Sequence, residues 1–188
     1  MTETTADLAD AVQLLAAAVL TSTDDPAEQA RLLAALAGYA PAAQAGGGVV
    51  GASILAVRGA TAALCRRAAL AALARASTAA APPTYDDGAA LRDLVCGLLA
   101  AEELVAADAA ESDVAAALRA LRLAVYADLS ARVADLPRLR TITSNAALPA
   151  LVQANRLYGD AGRADDLVAQ AEPVNPLFMP REYRAPSS

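Results

Sequence analysis

Most of the apolar residues in this chain are alanine. Hydrophobic residues make up 56% of its 188 residues, whereas aromatic residues make up only 3%. An alanine side chain buries little area, so a core built from alanine is thin and requires backbones that pack closely together. This composition predicts closely packed helices, and a length of 188 residues fits one domain or two small ones.

The charge is distributed unevenly along the chain. All 15 basic residues are arginine, there is no histidine, and the formal net charge is −6. Residues 1–109 contain 12 acidic and 6 basic residues, and residues 110–188 contain nine of each. No basic patch stands out, so electrostatics give no support for binding a nucleic-acid backbone, and we do not expect a nucleic-acid partner.

Apolar residues recur at three- and four-residue spacing through the first 136 residues. Asp25 followed by Pro26 predicts a helix start, and Gly38 predicts a helix end. We interpret "YDDG" (85–88) as a turn, and we expect Ser112 or Asp113 to cap the last helix. The predicted helices span 6–21, 26–37, 49–80, 88–107 and 112–136. They form an up-and-down bundle or helical hairpins, and such an alanine-rich bundle is expected to complete its core by assembling with copies of itself.

The longest uncharged run, residues 32–57, is long enough to cross a membrane. Pro41 and the glycines at 46–48 interrupt this run, and Gln44 lies within it. The interpretation that we favour is two buried helix ends joined by a glycine hinge, without membrane insertion. The N-terminal segment "MTETTADLAD" is acidic, which is the wrong charge for the start of a signal peptide.

The residue types provide few side chains that could act in catalysis or bind a metal. Without histidine, a Ser-His or Cys-His nucleophile cannot form. The adjacent carboxylates at 86–87, 102–103 and 165–166 diverge by about 100° on a helix, so they do not form an acid/base pair by themselves. Cys65 and Cys96 are interpreted as two buried thiols rather than a disulfide. We therefore expect no enzyme, no catalytic residue, no metal and no cofactor.

The character of the sequence changes at residue 137. Residues 139–143 alternate like a strand. A helix is predicted from about Leu148 to Gly159, a second short helix within 162–172, and an extended segment over 173–180, which contains three prolines. We therefore divide the chain into a helical region, 1–136, and a small α+β unit, 137–188.

This order of elements resembles the LysM-type module, a strand–helix–helix–strand unit. In such modules the first helix often ends in an aromatic–glycine pair, and Tyr158–Gly159 matches that pair. The resemblance places Asn175 in the turn after the second helix and "PLFMPREYRAP" (176–186) in the last strand. The fold class that we expect is mainly α, with a LysM-like module at the C-terminus.

Residues 117–188 also resemble the C-terminal region of the Mu-like phage DNA circulation protein family. About 70 residues carry the likeness, through separated motifs. The matching residues are Leu136, Pro137, Leu148, Pro149, Arg156, Leu157, Tyr158, Gly159, Asp160, Arg163, Asp166, Val168, Pro176 and Phe178. Two features depart from the family pattern: residues 1–110 show no β-rich N-terminal domain, and the usual ending with a histidine and paired glycines is absent.

Several of these residues have expected structural roles. We expect Tyr158 to pack between the two short helices, Gly159 to end the first helix, and Asp160 to cap the next one. Phe178 is expected to anchor the last strand in the core. The residues that we single out as core or interface candidates of the module are Leu148, Pro149, Arg156, Tyr158, Gly159, Asp160, Asn175, Pro176 and Phe178.

Despite its name, the family resembles structural parts of a contractile-tail baseplate or hub. The resemblance implies a virion component, present in the host cytoplasm during assembly, that contacts tube, hub or baseplate proteins and forms a homo-oligomer or multi-copy ring. Two alternatives stay open: a peptidoglycan-binding LysM-type module on a helical stalk, and a protein that binds DNA ends.

Overall fold

The fold is mainly helical, with one two-stranded sheet near the C-terminus. A computed structural model describes residues 2–41 and 48–187. Its elements are α1 (Thr2–Leu20), α2 (Pro26–Ala37), α3 (Gly48–Ala79), α4 (Tyr85–Asp108), α5 (Ser112–Val133), β1 (Leu139–Thr143), α6 (Ala150–Tyr158), a short 3-10 turn (Ala161–Arg163), α7 (Ala164–Ala171) and β2 (Glu182–Pro186).

The chain divides into two compact units. The N-terminal unit comprises Met1–Ala81 and Ala89–Ala131, and the C-terminal unit comprises Pro82–Gly88 and Arg132–Ser188. The second unit therefore contains a short segment from between α3 and α4 as well as the end of the chain. This division differs from the expected one at 136/137 by including Pro82–Gly88 and residues 132–136.

Five helices contribute to the core of the N-terminal unit, as the periodicity predicts. Leu33, Leu70, Leu73, Leu99 and Leu129 are completely or almost completely buried. Much of the rest of this core is alanine, contributed mainly by α3 and its neighbours α1 and α2. Small side chains let these helices approach closely, which fits the thin core expected from the composition.

Local signals set the ends of α2. The Asp25 carboxylate accepts a hydrogen bond from the Ala27 N–H at 2.9 Å, and Pro26 occupies the first turn. The Gly38 N–H donates to the Ala34 carbonyl at the other end. These features confirm the predicted boundaries, because each satisfies a backbone group that a helix end leaves without an intrahelical partner.

Two predicted boundaries of the later helices were wrong. The "YDDG" segment is not a turn but the first turn of α4, which begins at Tyr85. The last helix of the unit starts at Ser112 and ends at Val133, so Ser112 and Asp113 lie in its first turn, and it stops before the predicted Leu136.

The long helix α3 begins at Gly48, whose φ of 84° lies in the left-handed region. The expected loop and glycine hinge fall largely on residues 42–47, which lie outside the described residues. By length and composition alone, α3 could cross a membrane, and only 11% of its most apolar 18-residue window is buried. Its first half therefore differs from an ordinary core helix.

The C-terminal unit has the order strand, helix, helix, strand. β1 and β2 pair antiparallel, with Ile142 opposite Tyr183 and Leu139 opposite Pro186. The buried core of this unit comes from α6, α7, the segment before β2 and β2 itself: Ala150, Ala154, Ala164, Leu167, Met179, Tyr183 and Ala185. The strand predicted at 139–143 and the two short helices are confirmed.

Two further details of the C-terminal prediction were wrong. The segment 173–180 is not simply extended, since Asn175–Phe178 form a turn in which the Phe178 N–H donates to the Asn175 carbonyl at 2.9 Å. The last strand begins only at Glu182, not at Pro176. Proline limits φ at 173, 176 and 180 but does not prevent a tight turn between them.

Candidate interaction surface

The end of α6 is built as its sequence predicts. Gly159 takes a left-handed conformation with φ of 70°, and its N–H donates to the Asn155 carbonyl at 2.9 Å. The Asp160 carboxylate then accepts from the Gly162 N–H at 2.8 Å and caps the following 3-10 turn. Gly159 and Asp160 thus turn the chain between two short helices. Their roles in ending one helix and capping the next account for both residues without a bound ligand.

Tyr158 ties this helix end to the last strand. Its hydroxyl donates to the Pro186 carbonyl at 3.2 Å, and the Arg163 guanidinium lies 3.9 Å from the centre of its ring. Burial raises the pKa of Tyr158 above its usual value, against the opposing attraction of Arg163. Tyr158 therefore acts as a half-buried connector between α6, the 3-10 turn and β2.

Phe178 is the clearest correction among the predicted residues. It was expected to anchor the last strand in the core, but it is 65% exposed, while its neighbour Met179 is completely buried. Tyr183 is buried as well, and its hydroxyl has no hydrogen-bond partner among the described residues. Burial raises the pKa of this phenol too. Met179 and Tyr183 provide the anchors that Phe178 was expected to provide.

The turn that carries Phe178 is fixed against the start of α6. The Asn175 side-chain oxygen accepts from the Leu177 N–H at 2.9 Å. The Ala150 N–H donates to the Pro176 carbonyl at 2.8 Å, and the Met179 N–H donates to the Leu148 carbonyl at 3.1 Å. Asn175 is in a turn, as expected, and the two backbone hydrogen bonds on either side of Phe178 fix the backbone that carries its exposed ring.

Large apolar side chains on these two segments point into solvent. We call them the apolar patch: Leu151, Val152, Val174, Leu177 and Phe178. Scattered exposed apolar residues are ordinary, but several on two segments that are hydrogen-bonded together indicate an interaction surface. The fixed backbone means that little conformational freedom would be lost when a partner covers them.

The remaining candidates lie around the start of α6. Pro149 precedes the helix, and its carbonyl accepts from the Val152 and Gln153 N–H groups. Leu148 and the exposed Arg156 line a cleft of about 410 Å³, together with the end of β1 and the loop that follows it. Gln153 donates to the Ser144 hydroxyl at 3.0 Å in this region. The structure thus brings Leu148, Pro149, Asn175, Pro176 and Phe178 together at one end of α6.

A charged cluster in the C-terminal unit was not recognised from the sequence. The Asp86 carboxylate accepts from the Leu139 N–H at 2.7 Å and from Arg184 at 3.1 Å, and Tyr85 stacks on Arg138 at 3.8 Å. The Leu139 hydrogen bond, helped by Arg184, lowers the pKa of Asp86. This cluster holds residues 85 and 86 to both strands, and it is a structural feature.

Other groups that sequence reasoning considered lie elsewhere. Cys65 and Cys96 are both free and half-buried, and burial raises the pKa of the Cys96 thiol. Over residues 2–41 and 48–187, no group of three or more acidic or cysteine side chains is placed to hold a metal ion. Searches with family models and against curated proteins returned no match to this chain.

Proposed function

We propose that this protein is a structural component of an assembly and that it docks on protein neighbours through the apolar patch. The observation that carries the proposal is the exposed ring of Phe178 on a turn whose backbone is hydrogen-bonded at Pro176 and Met179. An exposed aromatic side chain on a fixed backbone is typical of an anchor that fills a pocket on a partner.

The assembly that we propose is the baseplate or hub of a contractile phage tail or of a related particle. The support is the resemblance of residues 117–188 to the DNA circulation protein family and the strand–helix–helix–strand order of a LysM-like module. In this proposal the protein is present in several copies in the virion and contacts tube, hub or baseplate proteins. The helical N-terminal unit serves as spacer and oligomerisation arm.

Quantitative mass spectrometry of purified particles from the encoding strain tests the proposed location. A fixed low ratio of this chain to the tube protein is expected, and the ratio would also indicate the symmetry of the ring. Absence from particles, with abundance in the cell, would overturn the structural proposal in favour of an assembly chaperone or a binding module.

Substitution in the apolar patch tests the proposed surface. Phe178→Asp removes the anchor without changing the core, so the variant is expected to fold normally but to be lost from particles by tenfold or more. Leu104→Asp is the matched control, because Leu104 is equally exposed on α4 in the other unit. Equal incorporation of both variants would show that the patch is not the docking surface.

A second candidate function rests on the cleft beside α6. Its lining includes Thr143, Ser144, Asn145 and Arg156, which can donate hydrogen bonds to a glycan. The experiment is co-sedimentation with purified peptidoglycan sacculi, comparing the natural chain with Arg156→Ala. Binding that depends on Arg156 would favour a cell-wall-binding module over the tail component.

A further inference from the structure

The two strands of the C-terminal unit pair through alternate residues of β1. Just beyond the strand ends, the Ser144 N–H donates to the Arg181 carbonyl and the Ser187 N–H donates to the Arg138 carbonyl, both at 2.7 Å. Residues 138 and 144 therefore direct backbone groups toward β2. Because this direction alternates along a strand, residues 140 and 142 do the same, and residues 139, 141 and 143 direct theirs to the opposite side.

This outer side of β1 is covered at its start and open farther along. The Leu139 N–H donates to the Asp86 carboxylate at 2.7 Å, which covers the first position. The backbone N–H and C=O groups of Thr141 and Thr143 have no partner among the described residues, and both side chains are exposed. We call residues 141–143 the open edge. An open strand edge is a template on which another chain can form a strand.

The cleft of about 410 Å³ beside α6 begins at this open edge. Its lining combines Ile142, Thr143 and the loop after β1 with three residues of α6, which are Gln153, Arg156 and Leu157. None of the described residues of β2 lines it, so the cleft lies on the side of β1 that faces away from its partner strand. A strand added to the open edge would therefore run along the cleft, between β1 and α6.

Gln153 gives the cleft a largely buried hydrogen-bonding group. Only 4% of this residue is exposed, and its Nε2 donates to the Ser144 hydroxyl at 3.0 Å. Its Oε1 accepts no hydrogen bond from a described residue, so it can accept one from a donor that enters the cleft. Such an acceptor favours a ligand with N–H or O–H groups over a purely apolar one.

Two exposed arginines make this region positively charged. Arg156 lines the cleft from α6. Arg140 precedes Ile142 by two residues on β1, so the two side chains lie on the same face of the sheet. Arg184 in the same unit pairs with Asp86 at 3.1 Å, whereas no described acidic group pairs with Arg140 or Arg156. The cleft therefore presents uncompensated positive charge next to the apolar side chain of Ile142.

We propose that the open edge and the cleft bind an extended acidic segment of a partner protein, which adds a third strand beside β1. The backbone of this segment pairs with Thr141 and Thr143. An acidic side chain of the segment lies opposite Arg140, and an apolar side chain two positions away lies opposite Ile142. This surface differs from the apolar patch, so the inference adds a second docking site and defines the chemistry of its partner.

Charge and backbone geometry favour this occupant over two others. A second copy of β1 would bring another Arg140 to the same face of a short sheet, and like charges on neighbouring strands are destabilising. A glycan could contact the polar side chains of the cleft. The N–H and C=O groups of the open edge, however, repeat at the spacing of a peptide strand, so a peptide backbone can pair with Thr141 and Thr143 in register.

Amide hydrogen exchange of the isotope-labelled full chain, followed by nuclear magnetic resonance, tests the added strand. The probe is a blocked seven-residue peptide with glutamate at its centre, valine two positions away on each side and threonine elsewhere. This peptide has the required spacing in either strand direction. When it occupies about nine-tenths of the sites, exchange at Thr141 and Thr143 should slow about tenfold. The Ile142 N–H already faces β2 and serves as the unchanged reference.

Two control peptides separate strand pairing from charge attraction. One has lysine in place of the central glutamate, and the other is methylated at every backbone nitrogen. Each should bind at least about fivefold more weakly than the glutamate peptide. Equal binding of either control, unchanged exchange at Thr141 and Thr143 in the bound chain, or no binding of the glutamate peptide at millimolar concentration would overturn the proposal.

Thr141→Pro tests the open edge from the side of the chain. The Thr141 N–H points away from β2, so proline at this position keeps the pairing of β1 with β2 but removes a donor from the open edge. We expect the affinity for the glutamate peptide to fall about tenfold or more, with unchanged circular dichroism. Thr141→Ser keeps the N–H and is the matched control. A folded Thr141→Pro variant that binds as well as Thr141→Ser would contradict the added strand.

Arg140→Glu tests the charge and does not depend on how proline is tolerated. This variant should bind the glutamate peptide about fivefold more weakly and should prefer the lysine peptide. Arg75→Glu makes the same change of charge at an exposed position on α3 and should keep the preference of the natural chain. An Arg140→Glu variant that still prefers the glutamate peptide would refute the proposed position of the acidic side chain.

Peptidoglycan sacculi provide the remaining part of the test. Sacculi that compete with the peptide, and that bind Thr141→Pro as well as the natural chain, would assign the cleft to a glycan and overturn the peptide proposal. Phe178→Asp leaves the open edge unchanged and should bind the peptide normally. Loss of Phe178→Asp from particles and loss of peptide binding in Thr141→Pro therefore test the two docking sites separately.

Discussion

Glu102 holds a negative charge inside the N-terminal unit, with only 4% of its side chain exposed. Its two carboxylate oxygens accept from Arg66 at 2.7 Å and from Arg67 at 2.9 Å, so one acidic residue on α4 joins two neighbouring arginines on α3. The arginines are 20% and 25% exposed, so the solvent solvates them only in part. Removing Glu102 therefore leaves Arg66 without an acidic partner among the described residues, whereas Arg67 keeps its pair with Glu111.

Glu102→Gln is expected to lower the free energy of unfolding by about 2–4 kcal/mol, because it keeps the shape of the side chain but removes the acidic partner of Arg66 and one of the two acidic partners of Arg67. Urea unfolding followed by circular dichroism measures the change. Glu28→Gln is the control, since the Glu28–Arg31 pair on α2 is exposed and contributes little. Similar losses in both variants would mean that burial does not strengthen the Glu102 network.

The stability of the C-terminal unit depends on pH through Asp86. Its pKa is lowered in the folded chain, first by the Leu139 N–H and then by Arg184. Folding therefore favours the ionised form, and this stabilisation is complete above the unfolded pKa of about 3.9. It disappears as the pH falls through the lower pKa of the folded state.

Asp86→Asn should therefore be less stable than the natural chain at pH 7, and the difference should close as the pH falls below about 4. Urea unfolding of both proteins from pH 2.5 to 7 measures the difference. Asp165→Asn, at an exposed position in the first turn of α7, is the matched control. A stability difference that is constant across this range would exclude the carboxylate charge as its cause.

Among single residues, the sequence identified those that act through local backbone rules. Gly159, Asp160 and Asp25 occupy the predicted positions because a left-handed helix end and a short cap depend on residues close in sequence. Phe178 and Met179 could not be distinguished in this way. Both are apolar, and the Asn175 turn decides which of them faces the core.

At the scale of elements, the sequence before α4 contains a helix-start signal that the prediction of a turn did not take into account. The Thr84 hydroxyl accepts from the Asp87 N–H at 3.2 Å and donates to the Asp87 carboxylate at 2.5 Å. This is a threonine cap with an acidic residue three positions later, directly after two prolines. The interpretation of "YDDG" as a turn considered the glycine and the aspartates but not the threonine before them.

The glycine at this helix start is required by packing. A Cβ atom on Gly88 would overlap the Cγ1 methyl of the buried Val133 and would lie 3.1 Å from the Pro82 ring. By contrast, a Cβ on Gly97, in the middle of the same helix, would meet no atom within 4 Å. The two glycines of α4 therefore have opposite effects on stability. Gly88 permits the close approach of Val133 and Pro82 to the helix, whereas Gly97 only weakens the helix.

Gly88→Ala is expected to lower the free energy of unfolding by about 1–3 kcal/mol through overpacking. Gly97→Ala is expected to raise it by about 0.5–1 kcal/mol, because alanine has the higher helix propensity. Thermal and urea unfolding of the two single variants measure both changes. If both substitutions shift stability in the same direction, the close approach at Gly88 does not determine the outcome.

At the scale of the whole molecule, the helical class followed from alanine content and periodicity, and the strand at 139–143 followed from alternation. The assignment of Pro82–Gly88 to the C-terminal unit did not follow. It depends on contacts such as Asp86 with Arg184, which are 98 residues apart and leave no periodic signal. The exposure of residues 48–60 of α3 was equally hidden, because a long apolar helix has the same sequence pattern whether a partner covers it or it faces solvent.

The two-segment construction of the C-terminal unit imposes an order on biosynthesis. Asp86 is synthesised 100 residues before Pro186, the last residue of the strand that supplies Arg184. At 5–20 residues per second, this early segment waits about 5–20 s for its partners. The helices of the other unit are completed within that interval, so they can fold first. The two-stranded sheet can therefore close only after these helices have been synthesised.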